Sequence, residues 1–172
     1  LEPVAMRLEV KQGRHGCTLI NDTYNSDLGS LDIALDFMNR RPDRAGRQRV
    51  LILSDILQSG KPSHELYSHV ARLVESRGLE RLMAIGAEIQ ACASCFARLD
   101  ARCSFFSTTE EFMHSQEFLN LRDSIVLIKG ARSFHFDAIT EALEQKVHET
   151  ILEVNLGAVV ENLNYYRSFL NP

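Results

Sequence analysis

Three short polar segments carry the groups in this sequence that could do chemistry, and each follows an apolar run. The first is Asn21-Asp-Thr-Tyr-Asn-Ser-Asp27, which combines carboxylates, amides, hydroxyls and one aromatic ring. Such a segment can hold a nucleobase by stacking on Tyr24 and hydrogen bonding through Asn25. It can equally be a strand-to-helix turn in which Asn, Asp and Ser serve as turn and cap residues. The second is Leu53-Ser-Asp-Ile-Leu-Gln-Ser-Gly60, where Asp55 is either a group near bound phosphate and metal or a capping carboxylate. The third is Ile128-Lys-Gly-Ala-Arg-Ser133. Lys129 at a strand end, followed by Gly130, lets a cation and bare backbone approach an anion. Arg132 adds a planar fork suited to phosphate or carboxylate.

Other reactive residue types do not assemble. Cys92-Ala-Ser-Cys95 has the CxxC spacing of zinc and redox motifs, but no second CxxC or His pair completes it. On a helix such a pair shares one face, so reduced thiols in a structural role are expected, in keeping with a cytoplasmic protein. The six histidines show no ligand spacing, and no metal site is expected. GxxxxGK[ST], GxGxxG and the nucleophile elbow are all absent.

The elements that must position these segments are legible from two alternating periods. Strands are expected at 6–10, 17–20, 49–53, 81–85, 103–106 and 124–128, and helices at 28–39, 64–76, 87–99, 109–118 and 134–146. Strands alternating with helices predict an α/β, Rossmann-like, mostly parallel sheet with helices on both faces. The first two runs are separated only by a turn carrying Gly13 and Gly16, which predicts an N-terminal β-hairpin. Ser26 or Asp27, Ser63, and the Thr108/Glu111 pair are candidate helix caps, Gly78 a helix stop, and 40–48 a solvated loop. In such sheets ligands bind at the carboxyl ends of the strands, where all three segments fall.

Composition sets the outer limits. The chain has 172 residues, 45% apolar and 24% charged, with net charge −4: a globular profile with no nucleic-acid footprint and no membrane span. Its start resembles no signal peptide and lacks Met, so a boundary inside a longer chain is expected.

Taken in order, the three segments resemble the C-terminal domain of the Mur ligases, the peptidoglycan amino-acid ligases, over residues 1–146. They match that family's D-[DS]-[ST]-Y-N-A-N-P, G-D-M-x-E-L-G and K-G-S-R patterns. Asp27, Ser54, Gln58 and Ala131 depart from the patterns, and Tyr67 stands where relatives often carry His. Residues 147–172 in turn resemble the opening strand and helix of alanine racemase, so a ligase–racemase fusion is expected, its pyridoxal phosphate site lying beyond Pro172.

The first resemblance implies an ATP- and magnesium-dependent ligase of the branch joining D-alanyl-D-alanine to UDP-N-acetylmuramoyl-tripeptide through an acyl phosphate. A central domain would supply the phosphate loop and most magnesium ligands, leaving this part inactive alone. By match, Tyr24 and Asn25 are nucleotide-binding candidates, Lys129 and Asp22 catalytic candidates, and Arg132 and Asp55 substrate-binding candidates. Two other classes compete. A receiver-like signalling domain would use Asp55 as phosphoacceptor beside Lys129, and an interaction module would bind no ligand at any loop.

Overall fold

In the computed structural model, residues 8–24, 26–99 and 102–146 are described. The expected racemase-like tail, 147–172, and Asn25 lie outside the described residues. In chain order the elements are β1 (Glu9–Gln12), β2 (Thr18–Asp22), α1 (Leu28–Asn39), β3 (Gln48–Ser54), α2 (Ser63–Ser76) and β4 (Arg81–Ile85). There follow α3 (Ala87–Ala91), β5 (Cys103–Phe106), α4 (Thr109–Met113), α5 (Gln116–Leu119), β6 (Ser124–Lys129) and α6 (Asp137–Leu143).

One six-stranded sheet runs in the order β1-β2-β6-β3-β4-β5. All neighbours are parallel except β1, which returns antiparallel to β2 as the expected hairpin. The last strand therefore inserts between β2 and β3, placing the third polar segment between the first two. The central strands are buried along most of their length, because helices cover both faces. Alternation assigns Ile20, Leu51, Leu53, Leu82, Ala84, Ile125 and Leu127 to one core with α1 and α2. Leu19, Val50, Ile52, Met83, Ile85, Val126 and Ile128 join Phe112, Phe118, Phe136 and Ile139 in the other.

Several expectations needed correction. The first strand occupies Glu9–Gln12 rather than 6–10. The helix expected at 87–99 ends at Ala91, and a 3-10 turn, Ala93–Phe96, continues it. Ile89, Phe96 and Leu99 still share one core, so apolar spacing survives while the backbone tightens. The 109–118 segment breaks because the Ser115 hydroxyl accepts the Phe118 N–H and starts a new helix. The 134–146 helix is confined to Asp137–Leu143, after left-handed His135 (φ 54°). Ser63 is the first helical residue of α2, and Pro62 holds the cap position. The Thr108 hydroxyl caps Glu111 as expected, but Glu111 reaches back to the Ser107 N–H, one residue before the cap. The 40–48 loop is clamped: Asp43 takes Arg41 and Arg47, and Arg47 also donates to the Gly16 and Ser124 carbonyls.

Of the two cap candidates for α1, Asp27 caps, accepting the Ser30 N–H at 2.9 Å. Burial pulls its carboxyl upward, but the Ser30 hydroxyl and amide and the charge of Lys129 outweigh this and hold it below the usual range. A depressed carboxyl stabilises the fold above its unfolded pKa, and that contribution is lost as pH falls through the folded value. Asp27→Ala is expected to cost about 1 kcal/mol at pH 7 and progressively less on the acid side, read by urea titration at each pH. Gly78 (φ +65°) follows Arg77, the C-terminal cap of α2, and ends the helix as expected.

Candidate functional site

The ends of β2 and β6 carry a buried ion pair. Asp22 and Lys129 are Cα partners in the parallel ladder, and their side chains alternate to the α1 face. Lys129 Nζ lies 2.6 Å from Asp22 Oδ2, with side chains only 1% and 2% exposed. Adjacent parallel strands held in register set this distance. Two charges this deep persist only as hydrogen-bonded partners.

Beyond Lys129 the chain turns within four residues. Gly130 passes so close beneath Phe136 that an added Cβ would overlap the ring. The Ala131 N–H donates to Ser54 Oγ at 2.8 Å, and a 3-10 turn, Arg132–Phe134, follows. This path brings the Arg132 guanidinium over the Tyr24 ring, 5.8 Å from its centroid. Tyr24 is 57% exposed. The two line a groove of about 350 Å³ with Thr23, His135, Phe136 and Asp137. An exposed aromatic face beside a guanidinium suits a planar anionic ligand. A larger hollow of about 570 Å³, walled by Met113, Phe134 and Ala138, shares only His135 with the groove.

Of the two roles read for Asp55, the structure shows capping. Its carboxylate accepts the N–H groups of Glu88 (3.2 Å) and Ile89 (2.8 Å), at the N-terminus of α3. The Tyr67 hydroxyl reaches the same carboxylate at 3.4 Å and accepts the Ile56 N–H at 3.2 Å. Tyr67 is fully buried, and burial pushes its phenol well above the usual range, so it stays a donor. This arrangement offers Asp55 poorly as a phosphoacceptor, and Lys129 is engaged with Asp22, so the receiver-like alternative gains no support.

The structure thus brings Tyr24 and Arg132 together in the open, pairs Asp22 with Lys129 beneath the surface, and turns Asp55 toward α3. What the sequence did not reveal is the set of ties between the segments. Ser26 Oγ donates to the Asp55 carbonyl at 3.1 Å, joining the first to the second. Ser54 joins the second to the third. The only signal for Ser54 was its departure from the family pattern.

The sheet order and the three segments at its carboxyl edge define the class: this is the fold of a Mur ligase C-terminal domain. Among solved structures, MurF from Acinetobacter baumannii superposes with a TM-score of 0.65 at 20% identity, covering 79% of this chain and 30% of that one. A murein peptide ligase from Psychrobacter arcticus gives 0.55 at 10% identity, over 83% and 31%. In sequence, the relatives include two UDP-N-acetylmuramoyl-tripeptide–D-alanyl-D-alanine ligases. That of Escherichia coli (strain K12) is 22% identical over 148 residues, and that of Buchnera aphidicola (subsp. Baizongia pistaciae) 23% over 152. The alignments cover 84% and 83% of this chain but 31% and 30% of those proteins, so the chain spans about a third of their length. No protein-family model matches the chain.

Proposed function

We propose that this chain is the closing domain of an ATP-dependent ligase that joins D-alanyl-D-alanine to UDP-N-acetylmuramoyl-tripeptide in peptidoglycan synthesis, and that it is inactive alone. The observation that carries the reading is the Tyr24–Arg132 groove at the sheet's carboxyl edge, formed just past the strand ends that the Asp22–Lys129 pair joins. Similarity to two ligases of that activity supports it.

In this reading Tyr24 stacks on the adenine and Asn25 hydrogen-bonds its edge, while Arg132 takes a phosphate or the dipeptide carboxylate. Lys129 and Asp22, expected from the resemblance to act on the reacting groups, hold the two strand ends so that Arg132 meets the nucleotide as the domain closes. Asp55 acts through its cap on α3, fixing the second segment rather than touching substrate. When bound, magnesium would neutralise the phosphates, with most of its ligands coming from the central domain. Closure excludes water from an acyl phosphate that would otherwise hydrolyse. The tripeptide carboxylate takes the terminal phosphoryl group from ATP, releasing ADP. The dipeptide amine then displaces phosphate, losing one proton as the amide forms.

Residues 147–172 are read, on sequence resemblance alone, as the start of an alanine racemase unit. A cytoplasmic location follows from the nucleotide-linked substrates. Among the described residues, no helix is long and apolar enough to cross a membrane.

Amide-shift mapping of the chain with Mg-ATP tests the reading. Shifts are expected at Tyr24, Asn25 and Arg132, and Arg132→Ala in the full-length ligase should weaken nucleotide or dipeptide use about tenfold, the loss of one charge-assisted contact. Normal KM values and turnover in that variant would sink the assignment.

A further inference from the structure

Ser54 is fully buried at the end of β3, and its hydroxyl has two partners in two different segments. It donates to the Asp55 carbonyl at 2.9 Å and accepts the Ala131 N–H at 2.8 Å. The second bond crosses from β3 to the turn that delivers Arg132. That turn is also held at Lys129, by Asp22, at Gly130, under Phe136, and beyond Arg132, where the Phe134 N–H donates to the Ala131 carbonyl and the Phe134 carbonyl accepts the Thr109 hydroxyl. None of these constraints sets the rotation of the peptide between Gly130 and Ala131, which aims everything downstream. The Ser54–Ala131 bond sets it. Both ends of this bond are departures from the family patterns, Ser in place of Gly at 54 and Ala in place of Ser at 131. The hydroxyl absent from the third segment is therefore present on its immediate neighbour in space.

We propose that Ser54 is a positioning residue of the ligase reaction: its hydroxyl orients the Gly130–Ala131 peptide and so points Arg132 into the groove beside Tyr24. The proposal rests on the ligase reading above. Without the hydroxyl the Ala131 N–H has no acceptor in this position, and an amide with no partner turns toward one. Arg132 would then lose its approach to Tyr24 while the sheet beneath stays intact.

The test is a double-mutant cycle in the full-length ligase, because the bond can be removed from either end. Ser54→Ala deletes the acceptor. Ala131→Pro deletes the donor at a φ of −66°, the value proline imposes, and its ring also presses on Ser54 Oγ, a strain that Ser54→Ala relieves in the double variant. Each single variant is expected to lower kcat/KM for D-alanyl-D-alanine or ATP about tenfold, with KM for the UDP-linked tripeptide unchanged. The double variant should be no worse than either single, since one bond is lost in all three. Ser54→Thr, which keeps the hydroxyl, should restore activity to within about threefold of the parent. Additive losses, or Ser54→Ala within twofold of the parent while Arg132→Ala is impaired, would overturn the positioning role and leave the ligase reading standing. If Arg132→Ala is also unimpaired, the reading itself fails. Should Ser54→Ala fold poorly, Ala131→Pro and the Ala131 amide exchange rate in Ser54→Thr carry the same decision: parent-like kinetics in Ala131→Pro, or an unprotected Ala131 amide in a Ser54→Thr variant of parent-like activity, overturns the role.

Discussion

Lys129→Met is expected to destabilise this domain by about 3–5 kcal/mol, a large share of a typical domain's total stability. The cause is less the loss of attraction than what remains. Asp22 is 2% exposed and would be left as an uncompensated carboxylate between β2, β6 and α1. Asp22→Asn should also be costly, because it removes the carboxylate charge that faces the ammonium of Lys129 across a 2.6 Å contact nearly free of solvent. The informative variant is the pair replacement Asp22→Leu with Lys129→Met. Apolar groups of similar volume remove both desolvation penalties together, so stability should return to within about 1–2 kcal/mol of the parent, or exceed it. Urea unfolding at pH 7 of the parent, both singles and the double measures this directly. A single-variant cost below about 1 kcal/mol would mean that water reaches the pair and that the strand ends are not fixed by it. The double variant also separates stability from function. If it folds as well as the parent yet the proposed full-length ligase is inactive, the charges themselves are needed near the ligand. If it is active, the pair serves only to hold the strand ends.

The second large effect is expected at Gly86→Ala, about 3 kcal/mol or more, from two causes acting at one atom. Gly86 has φ +136°, a conformation that a side chain strains by roughly 1–3 kcal/mol. Its added Cβ would also overlap the carboxylate of Asp55. That carboxylate must move to make room, and moving it uncaps α3 by releasing the Glu88 and Ile89 amides. Gly60→Ala is the matched control. Its φ is +68° and nothing lies within 4 Å of the new Cβ, so only left-handed strain of about 1 kcal/mol should appear. Combining Gly86→Ala with Asp55→Ala should be sub-additive, since the carboxylate lost in one is the obstacle in the other. Thermal unfolding of the four variants gives the comparison. Equal costs at the two glycines would show that backbone strain alone decides both.

The relation between sequence and structure is clearest at the breaks. The strand at 81–85 fell where expected because an inner strand of a sheet covered on both faces demands an apolar run, and Leu82 to Ile85 are all buried. The helix expected at 109–118 did not survive as one unit, although Phe112 and Phe118 keep their apolar spacing. The Ser115 hydroxyl offered the backbone a competing partner, a local choice that periodicity averages away. The helix at 87–99 shows the same limit, since α-helical and 3-10 turns satisfy similar apolar spacing over so short a stretch.

At the site, the residue types and their order were legible in the sequence: an aromatic and amide segment, an acidic segment, and a Lys-Gly-x-Arg segment, each placed at a strand's carboxyl end by the alternating periods. Those features depend on local pattern, which the chain carries by itself. Three things depended on which strands become neighbours. Inserting β6 between β2 and β3 buried Lys129 against Asp22 and brought Arg132 over Tyr24. The pairing of β3 with β4, Ser54 opposite Ile85, set Asp55 beside the start of α3 and made it the cap. The close approach of the second and third segments made Ser54 a tie between them. Each joins residues far apart in sequence through distances of a few ångströms, and only the closed sheet and its packed helices fix distances of that kind.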